Sequence, residues 1–167
     1  MHRVFLSLGS NIKPEDNLRA CLQLLREKCT VLAVSPVYET APVGYTKQAN
    51  FLNAAVLLET PLTPEQFRLA VIVPIEQALK RVRDPHNKNA PRTIDLDIAL
   101  WDEESFDFGE KPWHVPDPDV TRFAHVARPL ADLAPEAVHP EDGRTLAEIA
   151  AALPTEGLWL REDITLD

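Results

Sequence analysis

Residues 93–101 read Thr-Ile-Asp-Leu-Asp-Ile-Ala-Leu-Trp, and this stretch restricts the possible folds more than any other. Successive side chains of a β-strand point to opposite faces, so residues two apart share a face. The alternation predicts a strand with Ile94, Leu96, Ile98 and Leu100 toward a core and Asp95 and Asp97 on the opposite face. Two adjacent carboxylates repel, and a cation between them relieves the repulsion. Hard oxygen ligands on a rigid strand suit Mg²⁺, which keeps several waters and also binds phosphate oxygens. The plainer alternative is an exposed strand face that happens to be acidic.

The charges around the pair favour a site. The chain carries a net charge of -9, yet Arg81, Arg83, Lys88 and Arg92 all lie just before the two aspartates. A local reversal of charge beside paired carboxylates is the pattern expected of a clamp for phosphate oxygens, because guanidinium groups give bidentate contacts and offset developing negative charge. Surface salt bridging would also use these residues, but contributes little. Residues 83–90, Arg-Asp-Pro-His-Asn-Lys-Asn-Ala, are polar and aperiodic; they read as a lid over a ligand or as a solvated connector. His86 reads as a loop histidine rather than a catalytic base.

Upstream, residues 3–8 form an apolar run that ends at Gly9-Ser10-Asn11, a strand and a turn. Residues 14–28 place Leu18, Cys21, Leu22, Leu24 and Leu25 on one helical face, with Pro14 suited to the first turn. Strands are expected at 30–38 and 51–60, separated by a loop containing Pro42 and Gly44. A helix is expected over 64–83, with Thr63 and Gln66 forming a capping box and Pro74 kinking or breaking it. The order is β-α-β-β-α-β, so the fold class is α+β: a ferredoxin-like antiparallel sheet with its helices on one face. Residues 102–167 form a Pro-rich extension with short helical pieces near 128–133 and 146–153, to which pattern alone gives no role. One domain of 167 residues is expected, its core at about 3–101.

The acidic balance argues against a general nucleic-acid or membrane binder, since both partners are anionic. Cys21 and Cys29 are too few for a disulfide framework and read as structural thiols. The chain opens on no signal peptide and holds no apolar run of membrane-spanning length, so a cytoplasmic protein is expected.

Four ordered motifs carry a resemblance. Gly9-Ser10-Asn11, the 38–44 segment Tyr-Glu-Thr-Ala-Pro-Val-Gly, the 51–55 segment Phe-Leu-Asn-Ala-Ala and the 90–97 segment Ala-Pro-Arg-Thr-Ile-Asp-Leu-Asp together resemble the 6-hydroxymethyl-7,8-dihydropterin pyrophosphokinases of folate biosynthesis. The likeness runs from about residue 3 to about 140. It implies transfer of pyrophosphate from ATP to the hydroxymethyl group of 6-hydroxymethyl-7,8-dihydropterin, with release of AMP. It further implies that Asp95 and Asp97 hold two Mg²⁺ ions, that Arg81 and Arg92 grip the triphosphate as catalytic residues, and that Glu76, Arg83 and Ile98 also lie on the nucleotide side. Thr40, Ala41, Pro42 and Val43 match the loop that reads the pterin edge. Asn53 matches the side chain that hydrogen-bonds the heterocycle, and Phe51 the stacked aromatic. No protein partner is implied.

The departures fall together. Asn89-Ala90 stands where many members of that family carry a Trp before the Gly-Pro-Arg-Thr motif, and Asp117 where a phosphate-contacting His is frequent. Phe123 takes the place of an arginine that helps hold ATP, and His125 that of the second pterin-stacking aromatic, a role that falls to Phe123 instead if the register slips. These changes remove positive charge from one wall and imply weaker ATP binding, with Arg122, Lys88 or Arg128 as possible compensation. Two other readings are a nucleotidyl transferase or cyclase, which also place paired aspartates on such sheets, and a non-catalytic or altered-specificity pterin- or nucleotide-binding paralogue.

Overall fold

The structure is a computed structural model and describes residues 1–82, 84–87 and 89–166. Its centre is β1 (His2–Ser10) paired antiparallel with β4 (Phe51–Thr60), in a register running from His2 opposite Thr60 to Ser10 opposite Leu52. On the far side of β1 lies β5 (Asp95–Trp101), also antiparallel. The outer edge of β4 is shared end to end by β2 (Thr30–Val34) and β3 (Tyr38–Thr40). One strand expected over 30–38 is thus two. The break is at Ser35-Pro36, where proline has no N–H for the ladder and the Ser35 hydroxyl accepts the Ala55 N–H at 2.8 Å. A last strand, β8 (Leu158–Leu160), adds to the free edge of β3.

Helix α1 (Pro14–Lys28) buries Leu18, Cys21, Leu22 and Leu25 of the face its spacing predicts, while Leu24, at the edge of that face, is only partly buried. The second helical stretch begins with the expected capping box: the Thr63 hydroxyl accepts the Gln66 N–H at 3.2 Å, and Gln66 Oε1 accepts the Thr63 N–H at 3.0 Å. It then runs as α2 (Pro64–Phe67), a π-helical turn (Arg68–Ile72) and α3 (Val73–Ala78). Pro74 explains the π turn. A proline ring clashes with the carbonyl four residues back and leaves it without a donor, and widening the turn removes that clash. The helix is remodelled rather than broken. It ends at Ala78, short of the expected residue 83, as Lys80 turns to a positive φ of 59°.

Side-chain alternation gives the sheet two buried faces. Val4, Leu6, Leu8, Leu52, Ala54, Val56 and Leu58 pack against α1 and against Phe67, Val71 and Ile75. On the other face Phe5, Ala55, Leu57, Ala99 and Leu100 pack against α4 (Ala124–Leu133) and α5 (Leu146–Ala152). Both helices come from the extension, which therefore supplies the cover for half the sheet.

One expectation is corrected here. Leu100 does not share a face with Ile94, Leu96 and Ile98. In the β1–β5 pairing Phe5 faces Leu100 while Leu6 faces Ile98, so Ala99 is a bulged extra residue and the alternation inverts past it. The bulge leaves the Ala99 carbonyl free to accept the Asp117 N–H at 3.0 Å. The wall that bears Asp117 is thereby fastened to the strand that bears the acidic pair. Between these two points the chain forms the hairpin β6 (Phe106–Phe108) and β7 (Trp113–Val115). No helix among the described residues is long and apolar enough to cross a membrane.

Candidate functional site

Where α4 stops covering the second face, the sheet forms the floor of a cavity of about 650 Å3. Ser7, Gly9, Phe51, Asn53, Asp95 and Asp97 line it from the strands. Thr40 lines it from the end of β3, Ala41, Val43, Asn89, Arg81 and Arg92 from the loops, and Lys111, Asp117, Asp119, Arg122, Phe123, His125 and Val126 from the extension. Gly9 marks the point of convergence. A Cβ there would lie 3.5 Å from Asn53 Oδ1, 3.8 Å from the Phe51 ring and 3.9 Å from Asp95 Cβ. Strand register alone brings these together, since Gly9 faces Asn53 on one side and Asp95 on the other.

Asp95 is gripped by both nearby guanidinium groups. Arg81 Nη1 donates to its Oδ1 at 2.9 Å and Arg92 Nη1 to its Oδ2 at 2.7 Å. Arg81 is mostly buried; it also donates to the Ile94 carbonyl at 2.8 Å and lies 3.5 Å from the buried carboxylate of Glu76. Its Nε–H is buried with no acceptor. Asp97 makes no hydrogen bond or ion pair among the described residues. Enclosure in the cleft, followed by the nearby charges of Asp95 and Asp117, pushes its carboxyl well above the ordinary range, although water still reaches it. Asp117 is pushed up to about 6, chiefly by burial. Its Oδ1 accepts the Asp119 N–H at 2.9 Å.

The other half of the cavity is flat and partly apolar. Phe51 lies on the floor beside buried Asn53, whose Nδ2 donates to the Tyr38 carbonyl at 3.3 Å. Across from them the Phe123 and His125 rings stack on each other, with centroids 5.2 Å apart and planes at 26°. Burial lowers the His125 pKa, which keeps its ring neutral near pH 7. Arg122 lies over Phe123 at 5.4 Å and approaches Asp119 only to 3.8 Å.

A hydrogen-bonded brace joins the rim loops. Asn11 Nδ2 donates to Gln48 Oε1 at 2.7 Å, and Gln48 Nε2 donates to the Tyr45 and Asn89 carbonyls, each at 2.7 Å. Asn11 Oδ1 accepts the Arg92 N–H at 2.8 Å. Gly44 is needed in this rim, because its φ is +81° and a Cβ would come within 2.4 Å of Asn89 Nδ2.

The structure therefore gathers Asp95, Asp97, Arg81, Arg92, Thr40, Ala41, Val43, Phe51, Asn53 and His125 into one cavity, with Pro42 in the same rim loop. Glu76 sits behind Arg81, off the cavity surface. Ile98 points to the opposite face of β5 and lines an adjoining crevice of about 60 Å3 with Arg68, Ile72 and Trp113, which Asp97 and Asp117 border on the cavity side. Arg83 and Lys88 lie outside the described residues. Gly9, Lys111 and Asp119 enter the lining without having been singled out as site residues. For Gly9 the signal is its place opposite the acidic strand. Lys111 comes from the turn between β6 and β7 and Asp119 from a single 3-10 turn (Pro118–Thr121), elements too short for spacing to carry information.

A family model described as 7,8-dihydro-6-hydroxymethylpterin-pyrophosphokinase (HPPK) matches residues 5–135. The 2-amino-4-hydroxy-6-hydroxymethyldihydropteridine pyrophosphokinase of Pseudomonas aeruginosa is 38% identical over 161 residues, covering 95% of this chain and 96% of that protein. Its namesake from Methylorubrum extorquens is 37% identical over 161 residues, covering 95% and 98%. Among solved structures, a triple mutant of Plasmodium falciparum HPPK-DHPS with pteroate superposes with a TM-score of 0.73 at 14% identity, a likeness of fold. It covers 94% of this chain and 46% of that one, so this chain spans about half of the solved polypeptide. The match over residues 5–135 and the full-length bacterial relatives agree with the cavity built by β1, β4 and β5: the chain belongs to the HPPK family.

Proposed function

We propose that this protein transfers the pyrophosphoryl group of ATP to the hydroxymethyl group of 6-hydroxymethyl-7,8-dihydropterin, releasing AMP, in folate biosynthesis. One observation carries the reading: a single cavity joins an acidic pair flanked by guanidinium groups to a flat pocket with an aromatic floor and an oriented amide. The first half suits a metal-bound triphosphate and the second a planar heterocycle with polar edges.

Mg²⁺ fits the acidic half, on the chemistry of the donors. Asp95 and Asp97 offer hard carboxylate oxygens, and Asp97, pushed up first by its enclosure and then by its neighbours' negative charge, gains from positive charge beside it. Two ions held by these residues are the expectation; when bound they neutralise phosphate charge and lower the pKa of a coordinated hydroxyl. The chain's own groups do the positioning. Arg81 and Arg92 are set to transfer from Asp95 to phosphate oxygens, and the unpartnered Arg81 Nε–H is a ready donor to an anionic ligand. Asn53 and residues 40–43 read the pterin edge, Phe51 stacks beneath it, and His125 presents a neutral ring opposite. Glu76 sets the height of Arg81. Ile98 serves the nucleotide through the crevice that adjoins Asp97 and Asp117.

The sheet order β5-β1-β4-β2/β3 supports a ferredoxin-like core. The cover that the extension gives to the second face supports one domain over all 167 residues. A cytoplasmic location follows from the proposed substrates. The test is AMP release from ATP and Mg²⁺, with and without 6-hydroxymethyl-7,8-dihydropterin. Pterin-dependent AMP and a pterin diphosphate are expected. AMP release indifferent to the pterin, or pyrophosphate as the product, rejects the assignment.

A further inference from the structure

The loop that forms the pterin side of the cavity leaves the sheet at Thr40 and returns at Phe51, and these two residues face each other across β3 and β4. A loop of this length keeps a defined shape only if its neck is held. Backbone pairing at the neck is short, since β3 has three residues. The side chains add a second fastening on the face away from the cavity. Glu39 Oε2 accepts from Asn50 Nδ2 at 2.9 Å, so one carboxylate joins both ends of the loop. Its Oε1 accepts from Arg161 Nη1 at 2.6 Å. Arg161 is in turn set by Asp163, which takes Nε–H at 2.9 Å and Nη2–H at 2.8 Å. The Arg161 backbone N–H donates to the Val37 carbonyl at 2.8 Å, and β8 pairs Leu158 with Thr40 and Trp159 with Glu39. Beyond them Ile164 and Leu166 are buried in the core on the α1 side, which anchors the segment.

We infer that the C-terminal segment is a strap for the pterin loop, with Arg161 as a positioning residue that acts through Glu39 and Asn50 on the placement of residues 40–43 and Phe51. The inference rests on the reading of those residues as the pterin pocket. The Asn50 and Arg161 bonds hold the Glu39 carboxyl below its ordinary value, so the ion pair persists across neutral pH. Charge-assisted bonds of this kind, partly open to water, correspond to about a three- to tenfold change in an equilibrium that depends on them.

The test measures Kd for 6-hydroxymethyl-7,8-dihydropterin, Kd for a non-hydrolysable ATP analogue, and amide hydrogen exchange over residues 41–50. Arg161→Ala is expected to weaken the pterin about three- to tenfold, to leave the nucleotide unchanged and to speed exchange across the loop. Arg161→Lys should recover part of both effects, and Glu39→Gln should add little to Arg161→Ala in a double-mutant cycle. A lower melting temperature with both affinities and the loop exchange unchanged would make Arg161 merely structural and overturn the inference. Equal weakening of both ligands overturns it as well. If Arg161→Ala fails to fold, Arg161→Lys and Glu39→Gln carry the same comparison. Wild-type protein that binds no pterin sinks the substrate reading instead; loop exchange then decides alone, faster in the variant supporting the strap and unchanged rejecting it.

Discussion

Asp97 shows how a single side chain can work against the stability of the fold that presents it. A carboxyl with a folded-state pKa raised above its unfolded value disfavours folding at every pH where it is ionised. The penalty is absent in acid, grows as pH rises through the ordinary carboxylate range, and is complete above the raised folded value. Asp97→Asn should therefore stabilise the metal-free protein at pH 7 while removing a ligand the chemistry needs. Because water reaches the carboxylate, the gain is held to about 1 kcal/mol, read as a rise of about 2–4 °C in Tm. AMP release should fall by roughly 10³-fold or more. A variant that melts below the wild type without metal would contradict the account of Asp97. Asp95, by contrast, has one oxygen bound by Arg81 and the other by Arg92. The sequence reading paired the two aspartates as equals; their inequality comes from the reach of two arginines that enter from different loops.

At the scale of the elements, the β6–β7 hairpin has an attachment that depends on pH. His114 has Asp107 Oδ1 2.7 Å from Nδ1 and Glu141 Oε2 2.7 Å from Nε2, so the protonated ring can donate to both carboxylates at once. The Asp107 bond, then the Glu141 bond, raises its pKa above the usual histidine value. A cation favoured in the folded state stabilises fully below its unfolded pKa, near pH 6.5, and this support is lost as pH rises through the raised folded value. The pairs are exposed, so the tie contributes about 0.5 kcal/mol. His114→Gln should lower Tm by about 1–2 °C at pH 6 and by less at pH 9. An equal difference at both pH values would show that the ion pairs do not hold the hairpin. The hairpin matters because it leads into Asp117 and carries Trp113, over which Arg68 sits at 4.0 Å. No periodicity betrays this element. Its strands are three residues long, and the carboxylate that completes the tie lies 27 residues from His114 in the chain.

For the whole molecule, the two-faced sheet makes the extension part of the core. Leu130 of α4 and Leu22 of α1 are each almost completely buried, on opposite faces. Leu130→Ala and Leu22→Ala should each cost about 2–5 kcal/mol in denaturant unfolding, within one cooperative transition. A chain cut after residue 102 should show no cooperative melt. Separate transitions, or a stable fragment, would mean that residues 3–101 fold alone. By itself the sequence determined the strands that carry Asp95, Asp97, Phe51 and Asn53, the apolar face of α1, the capping box at Thr63 and the motifs of the family, because each is written in spacing over a few residues. It did not determine the inversion of Leu100 at the Ala99 bulge, the π turn around Pro74, the second core under α4 and α5, or the tie from Arg161 to Glu39. Those were decided in three dimensions. They depend on which strands become neighbours and on contacts between residues tens of positions apart, for which no local pattern of polar and apolar residues exists.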